Sequence, residues 1–223
     1  MTRQTAIRCP ASNCGKTFQV SAHRLGRRAQ CPHCGVALTA RPVAIEEQLR
    51  EQERKILGGV GSGMQRLPFA AIIDNVRSLW NVGSIFRTAD GCGIEKLFLT
   101  GISGCPPRKE ISKTALGAEE SVAWEYRATA EAALDTVVEA GYEVVALETG
   151  EAAQPIDRFV WPPRPALIVG NEVAGVDPAL LSRCRHHVTI PMLGAKNSFN
   201  VAVAFAIAAF SGSRALQGSD KCD

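Results

Sequence analysis

The sequence predicts an α/β fold, a mostly parallel sheet with helices on both faces, preceded by a small zinc ribbon. Three observations lead to this prediction. From Leu67 onward, short apolar runs alternate with helical patterns, which is typical of a parallel sheet that is covered on both faces. Residues 1–40 contain two short-spaced pairs of cysteines. The length of 223 residues leaves room for one ordinary domain and a small additional one.

The composition is that of a globular protein. Apolar residues make up 46% and charged residues 21% of the chain, which excludes disordered and collagen-like classes. No apolar stretch follows Met1, so we expect no signal peptide. The longest apolar run, Val201–Phe210, is half the roughly 20 residues that a membrane-spanning helix needs. We therefore expect a soluble protein of the cytoplasm that does not bind membranes.

The charge is distributed unevenly along the chain. Residues 1–40 hold six basic side chains and no acidic one, whereas acidic residues outnumber basic ones in the rest of the chain. This asymmetry favours an arm that binds a polyanion such as a nucleic acid. The alternative is a solvated surface that is merely basic.

The two cysteine pairs match a structural zinc site. Each pair has the short spacing that places two thiolates on one tight turn, and forty residues bury too little apolar surface to fold unaided. The expected ligands are Cys9, Cys14, Cys31 and Cys34. Two disulfides or a thioredoxin-like redox pair are the alternatives, and His23 or His33 could substitute for a cysteine ligand.

Residues 41–66 are predicted to be a linker with a short helix. Ile45, Leu49 and Ile56 recur at helical spacing, and Gly58–Gly63 follows as a flexible joint. The glycines superficially resemble a phosphate-binding loop, but no strand precedes them, which disfavours that interpretation.

The main domain is expected to span residues 67–218. Five apolar runs are predicted to be buried strands: Phe69–Asp74, Lys96–Thr100, Glu143–Leu147, Ala166–Val169 and His187–Met192. Four segments between or after them have helical patterns: 82–91, 128–140, 177–184 and 198–215.

A first polar loop, Asp74–Asp90, follows a predicted strand at the edge where open α/β sheets bind ligands. Its helix has a regular apolar stripe made by Val82, Ile85, Phe86 and Ala89. Arg87 lies off this stripe and should point to solvent, a partner or a ligand. A surface ion pair with Asp90 is the alternative, and Asn81 is also a candidate N-cap of this helix.

Two further loops follow predicted strands. In Leu167–Val176, glycines at 170 and 175 allow close backbone approach to a ligand, and Glu172 is either a ligand-facing carboxylate or an ordinary loop acid. Ile190–Asn200 leads into an almost wholly apolar helix, for which Asn197 or Ser198 is the expected N-cap. Such an apolar helix must be packed on most sides, against the sheet or another subunit.

Together and in this order, the loops resemble the SpoU (TrmH-like) branch of the SPOUT RNA methyltransferases. The resemblance covers residues 69–210. It rests on Asn81-Val-Gly-Ser-Ile-Phe-Arg87-Thr-Ala-Asp90, Ile168-Val-Gly-Asn-Glu172-Val-Ala-Gly-Val176, Ile190-Pro-Met-Leu-Gly194 and Asn197-Ser-Phe-Asn-Val201. The stretch Lys113–Glu120 is also similar to the family.

The resemblance implies a C-terminal trefoil knot, a homodimer, and S-adenosyl-L-methionine bound in the knot and used to methylate ribose 2′-hydroxyls of tRNA or rRNA. The functional side chains that it implies are Asn81, Arg87, Glu172, Ser198 and Asn200. The cofactor pocket that it implies is formed by Leu147, Glu148, Thr149, Gly170, Ile190, Leu193, Ser198, Phe199 and Asn200. In the family, the arginine of the first motif lies near the partner subunit's cofactor.

The sequence departs from the family pattern at two positions. Phe199 stands where the family usually has leucine, and Ala202 where it often has serine. Phe199 should reshape the pocket wall without abolishing cofactor binding. Ala202 lacks a hydroxyl, which weakens any role for that residue.

Three alternatives stay open at the level of sequence. One is a catalytically silent RNA-binding or assembly factor on the same fold. Another is an RNA methyltransferase that modifies a base nitrogen, and the third is a ribbon protein whose partner is another protein. The simultaneous presence of Asn81, Arg87, Glu172 and Asn200 argues against the silent factor.

Overall fold

The structure, a computed structural model, describes residues 4–40, 66–150 and 153–219. The chain divides into two compact units, Met1–Val60 and Gly61–Asp223. The predicted linker helix and the glycine-rich joint lie outside the described residues. The domain boundaries proposed from the sequence therefore stay a prediction in this part of the chain.

The first unit consists of two short antiparallel ribbons. β1 (Gln4–Arg8) pairs with β2 (Thr17–Ser21), and β3 (Arg28–Gln30) pairs with β4 (Ala37–Thr39). Its apolar core is small: Ile7, Leu38 and Ala40 pack with two of the cysteines. So small a core is consistent with a fold that needs a metal for its stability.

The second unit is built on a seven-stranded sheet in which every pairing is parallel. Its strands, in chain order, are β5 (Leu67–Asp74), β6 (Ile94–Thr100), β7 (Ala123–Arg127), β8 (Glu143–Leu147), β9 (Gln154–Pro155), β10 (Pro165–Val169) and β11 (His186–Thr189). Its helices are α1 (Leu79–Gly91), α2 (Lys109–Ala115), α3 (Ala118–Ser121), α4 (Ala130–Glu139), α5 (Pro178–Leu181) and α6 (Val201–Ser219). The spatial order is β7-β6-β5-β10-β8-β11-β9.

Helices cover both faces of this sheet, as the sequence predicts. Along β5, Phe69, Ala71 and Ile73 belong to the apolar cluster that includes α1 and α6. The alternate residues Ala70 and Ile72 belong to the cluster on the opposite face, with α4. Both sets are buried because successive side chains of a strand point to opposite faces.

The predicted core elements are all present, with shifted ends. β8 has the predicted bounds, but the last strand ends at Thr189 and the last helix begins at Val201, so the loop between them is longer than expected. Four elements of the second unit escaped the sequence analysis: β7, β9, α2 and α3. The apolar stripe of α1 is confirmed, since its four predicted members are completely buried.

The long helix α6 is apolar on more than one side. Within the described ranges, its window Val201–Gly218 is long and apolar enough to cross a membrane. Phe205, Ala208 and Ala209, however, are fully buried in the core of this domain. Packing on the sheet therefore accounts for the apolar character of one side of the helix.

Candidate functional site

A cavity of about 400 Å³ opens at the carboxyl edge of the sheet. The ends of β8, β10 and β11 and the segment before α6 form its walls. This is the edge at which open α/β sheets bind ligands, and the volume is within the range of small-molecule sites. The lining includes Leu147, Glu148, Thr149, Gly170, Glu172, Ile190, Ser198, Phe199 and Asn200, all of which the sequence analysis had assigned to the site.

Three predicted site residues, Asn81 among them, do not line this cavity. Leu193 is fully exposed and does not line the cavity, where Met192 is found instead. Arg87 is exposed on α1 and does not line the cavity either. Leu193 lies in the loop between β11 and α6, which is longer than the sequence analysis predicted.

The wall after β10 is a tight turn, residues 170–175, organised by a residue that the sequence analysis gave no role. The Asn171 side-chain oxygen accepts hydrogen bonds from the backbone N–H groups of Val173 (2.9 Å) and Ala174 (3.1 Å). Its side-chain nitrogen donates to the carbonyl of Asn75 (2.8 Å). Asparagine in a loop is a known turn former, which is the one local feature that could have identified it.

Glycine is required at both ends of this turn. A Cβ on Gly170 would lie 2.1 Å from the carbonyl oxygen of Gly175. Gly175 itself has φ +72°, and a Cβ there would lie 2.4 Å from the Glu148 carboxylate. The sequence analysis expected these two glycines to let the backbone approach a ligand. In the structure, they let the turn pack closely against itself and against the wall after β8.

Glu148 joins two walls of the cavity. Its carboxylate accepts hydrogen bonds from the backbone N–H of Val176 (2.9 Å) and from that of Thr149 (2.7 Å). Both carboxylate oxygens thus have protein donors, so Glu148 fixes the loops after β8 and β10 relative to each other.

Glu172 joins the cavity to the first motif. Its carboxylate accepts hydrogen bonds from the backbone N–H groups of Arg77 (3.3 Å) and Ser78 (3.2 Å) and from the side-chain amide of Asn81 (3.2 Å). Partial burial acts to raise the pKa of this carboxyl, but these hydrogen bonds outweigh it and hold the pKa below its ordinary value of 4.5. Glu172 is therefore an ionised carboxylate that joins its own loop to the first motif, and not an unpaired acidic residue of a loop.

Asn81 continues this chain of hydrogen bonds to the third motif. Its side-chain oxygen accepts from the side-chain nitrogen of Asn200 (3.1 Å), and the Asn200 oxygen accepts from the backbone N–H of Ala202 (3.0 Å). Side chains from three motifs that are far apart in sequence thus meet at the mouth of the cavity.

Both predicted helix caps are wrong. Ser78, not Asn81, caps α1, since its hydroxyl accepts from the backbone N–H of Asn81 (3.3 Å). The helix begins earlier than its apolar stripe, which places Asn81 inside the first turn. Asn200 occupies the capping position of α6 that was expected for Asn197 or Ser198, because the helix begins at Val201. The side chain of Asn81 is thereby free to bind Glu172 and Asn200.

Arg87 makes no hydrogen bond or ion pair with any residue that the structure describes. The alternative ion pair with Asp90 is absent: Asp90 accepts from the Arg66 guanidinium (2.9 Å) and the Ser121 hydroxyl (2.8 Å). As expected from its off-stripe position, the Arg87 guanidinium faces away from the core.

A second, apolar groove runs between α1 and α6. It has a volume of about 550 Å³ and includes Phe210, which is 63% exposed, and Val203, which is 47% exposed. Asn81 and Asn200 border both this groove and the chain of hydrogen bonds that reaches the cavity. Among the residues that the structure describes, none covers this second apolar side of α6 completely.

In the first unit, the four predicted cysteine ligands converge. Their sulfur atoms all lie within 4.8 Å of one another, with Sγ–Sγ distances of 3.5 Å for Cys9–Cys34 and 3.8 Å for Cys14–Cys31. A tetrahedral Zn²⁺ site with Zn–S bonds of about 2.3 Å requires sulfur atoms about 3.8 Å apart. The cluster fits zinc, and neither histidine belongs to it.

The thiol pKa values reflect this crowding. Burial, together with hydrogen bonds to the other thiols, raises the pKa of Cys9 to about 12. Burial also opposes ionisation of Cys31, but the backbone N–H groups of His33 and Cys34 lower its pKa to about 7. A cation that stabilises four thiolates would complete such a site.

The fold and the linked motifs define the class to which the chain belongs. Residues 68–210, more than half of the chain, match the model of the SpoU rRNA methylase family. The chain belongs to this family and is an RNA methyltransferase by descent.

Individual relatives agree with this assignment. A protein of Staphylococcus haemolyticus assigned to the TrmH family of tRNA/rRNA methyltransferases is 27% identical over 188 residues, which cover 83% of this chain and 72% of the relative. The A. aeolicus TrmH/SpoU tRNA modifying enzyme shares the fold with a TM-score of 0.64 and 24% identity, covering 80% of this chain and 87% of that one. The AdoMet-bound rRNA methyltransferase of Sinorhizobium meliloti has a TM-score of 0.63 and 27% identity, covering 69% of this chain and 58% of that one.

Proposed function

We propose that the protein transfers a methyl group from S-adenosyl-L-methionine to a ribose 2′-hydroxyl of tRNA or rRNA. One observation carries this proposal: the hydrogen-bonded chain Glu172–Asn81–Asn200, which joins the three motif loops at the mouth of a ligand-sized cavity. Such a chain fixes the loops before substrate arrives, and preorganisation of this kind is what a reaction limited by geometry requires.

The cavity fits the cofactor. It is enclosed by the loops after β8, β10 and β11, and backbone groups of tightly packed turns line much of it. The S. meliloti relative binds AdoMet on the same fold. Gly170, Ile190 and Phe199 would form the wall around the adenosine and methionine parts, and the C-terminal segment would be threaded as a trefoil knot, as in the family.

The cofactor supplies a methyl group that is already activated on a sulfonium. When bound, it would supply this methyl carbon for in-line attack by the ribose oxygen, with sulfur leaving as a neutral thioether that keeps the electron pair. The proton leaves the hydroxyl for the neighbouring phosphate, water or a transiently neutral Arg87. A guanidinium is almost always protonated, so Arg87 is best suited to clamp that phosphate bidentately and to stabilise charge that develops on the 2′-oxygen. Ser198 lines the cavity and would orient the hydroxyl.

A homodimer would complete this site. Arg87 does not line the cavity of its own chain and has no partner in the described part of that chain. The exposed apolar groove beside α6 offers a surface through which a second copy could bring its Arg87 to the cavity. Burial of Phe210 and Val203 would contribute to the association energy.

The first unit would hold a structural zinc ion and supply an RNA-binding arm. Four cysteines fit the metal, and every charged residue of 1–40 is basic. The arm would make phosphate contacts, while the methyltransferase domain selects the nucleotide. We propose a cytoplasmic location, where tRNA and rRNA are accessible and thiols remain reduced.

Alkaline hydrolysis tests the site of methylation. The purified protein is incubated with labelled S-adenosyl-L-methionine and separate tRNA and rRNA pools, and the RNA is then hydrolysed with alkali. A 2′-O-methyl group blocks the cleavage that the hydroxyl initiates, so label should remain in alkali-resistant dinucleotides. Label in mononucleotides would identify base methylation instead, and no incorporation into either pool would contradict the proposal.

A further inference from the structure

Trp80 is an exposed aromatic side chain beside the proposed active site. It is 49% exposed and lies in the first turn of α1, next to Asn81. The turn that precedes it donates backbone hydrogen bonds to Glu172, which lines the cavity. An exposed tryptophan ring next to a site is available for stacking with a ligand.

The backbone of Trp80 is held rigidly. Its carbonyl oxygen accepts hydrogen bonds from the hydroxyls of Ser84 (2.9 Å) and Thr114 (3.2 Å). Between these contacts, α2 approaches α1 so closely that a Cβ on Gly83 would lie 2.0 Å from the Thr114 hydroxyl. The backbone that carries the ring is therefore fixed by two helices.

The surroundings of the ring are suited to a polyanion. The Lys113 ammonium lies 5.6 Å from the centroid of the Trp80 ring. Arg77 is exposed three residues before Trp80, and Lys109 is exposed on α2, the helix that carries Lys113. The Glu172 carboxylate, which contacts the turn before Trp80, is already bound by three N–H donors. Glu110 on α2 partly offsets these charges.

Trp80 also lies on the same face of α1 as Arg87. Seven residues are close to two helical turns, so the two side chains share one face and are separated by about 10 Å along the axis. That distance is comparable to the span of one to two nucleotides. The proposed function assigns to Arg87 the phosphate beside the ribose that reacts in the cavity of the second copy.

We infer that Trp80 is a stacking platform for an unpaired base of the RNA substrate, with Lys113 holding the backbone beside it. This inference rests on the proposed function, because it takes the RNA to be bound along the face that carries Arg87. Base stacking on an aromatic ring tolerates any sequence, so Trp80 would contribute affinity and hold a flanking nucleotide in place without specifying it.

Two substitutions in the full-length protein test this role. Trp80→Ala should weaken binding of a short unpaired oligoribonucleotide about tenfold or more, whereas Trp80→Phe, which keeps a ring, should stay within about threefold. Val138→Ala, at an exposed site on α4, is the matched surface control and should leave the affinity unchanged. The dissociation constants are measured with a labelled oligonucleotide at one fixed salt concentration.

Tryptophan fluorescence gives an independent readout. The chain has three tryptophans, of which Trp161 is buried and Trp124 packs against the core. A base stacked on Trp80 should quench the emission of the wild-type protein, and Trp80→Phe should abolish this quenching. Because this readout needs only Trp80→Phe, it decides the question even if Trp80→Ala does not fold.

Three results would overturn the inference. They are unchanged RNA affinity of folded Trp80→Ala, quenching that persists in Trp80→Phe, and conversion of Trp80→Phe to monomers in sedimentation, which would make Trp80 a subunit contact. Failure of the proposed function gives a different result. If RNA quenches the emission of the wild-type protein but no methyl group is transferred, the stacking role of Trp80 stands and the proposed reaction is wrong.

Discussion

Arg87 differs from Asn81, Glu172 and Asn200 because nothing in the described chain restrains it. Asn81, Glu172 and Asn200 are bound to one another, whereas the Arg87 guanidinium is exposed and unpaired within the described ranges. A long cation that forms no intramolecular pair keeps its donors for another molecule. This is consistent with a role toward a phosphate in a site completed by a second subunit.

Arg87→Ala should lose turnover by at least about 10²-fold while the affinity for S-adenosyl-L-methionine stays within a few-fold. Arg87→Lys keeps the charge but not the bidentate geometry, so its turnover should fall between that of the wild-type protein and that of Arg87→Ala. Turnover is measured with labelled methyl donor and cofactor affinity by calorimetry. Wild-type turnover in the alanine variant would contradict the assignment.

The pKa of Glu172 should lie below 4.5 and should depend on Asn81. The hydrogen bonds stabilise the charged form, so their contribution to stability is present above the ordinary pKa of 4.5 and is lost as the pH falls through the lowered value of the folded state. Asn81→Ala removes one donor and should move the pKa up toward 4.5. The carboxyl carbon resonance of Glu172 reports this titration by NMR, and an identical titration in both proteins would refute the coupling.

At the scale of elements, α6 carries two apolar sides in different environments. One side, with Phe205, is fully buried on the sheet, and the other, with Phe210, borders the open groove. The sequence analysis expected this helix to be packed on most sides, against the sheet or another subunit. The structure accounts for the first side, and the proposed dimer accounts for the second.

Phe210→Glu should give a folded monomer with little methyl transfer. A carboxylate in an apolar interface loses its hydration without gaining a partner, so the dimer dissociation constant should rise by at least about 100-fold. Sedimentation and circular dichroism separate loss of association from loss of folding. Val138→Glu on α4 is the matched control, and a dimer that survives Phe210→Glu would place the interface elsewhere.

Short elements show why the sequence prediction was incomplete at this scale. β7 is an edge strand with partly exposed residues, so it lacks the continuous apolar run by which the central strands were found. α2 has seven residues, two of them buried, which is too few to produce a helical period. The long elements were predicted correctly because each buries several residues on a fixed period.

At the scale of the whole molecule, the two units have different charge and different requirements for stability. The first unit has a small core and four converging cysteines, and its residues 1–40 carry only basic charges, whereas the second unit has an extensive core on both faces of its sheet. We therefore expect the salt dependence of RNA binding to be separable from that of methyl transfer.

Replacement of Arg24, Arg27 and Arg28 by glutamine should weaken RNA binding and lower its salt dependence, by roughly 0.7 in the logarithmic slope for each lost phosphate contact with single strands. Deletion of residues 1–40 should have a larger effect of the same kind. In both proteins, affinity for S-adenosyl-L-methionine should be unchanged. Filter binding across a series of salt concentrations measures the slope, and an unchanged slope would exclude the first unit as the RNA arm.

The sequence by itself determined the features that depend on local spacing. These include the four cysteines, the buried stripe of α1, the central strands and the order of the three polar loops. Each is encoded within one segment by a repeat of apolar residues or by the spacing of ligands, so it can be recognised without knowledge of the rest of the chain.

Only the tertiary structure decided how the site is held together. Asn81 binds Glu172 across 91 residues and Asn200 across 119 residues, and these contacts exist because the strand order places the loops at one edge of the sheet. In the same structure, Ser78 rather than Asn81 caps α1, and the Glu148 carboxylate accepts hydrogen bonds from two backbone N–H groups. Side-chain partners so far apart in sequence are chosen by sheet topology, which no local pattern encodes.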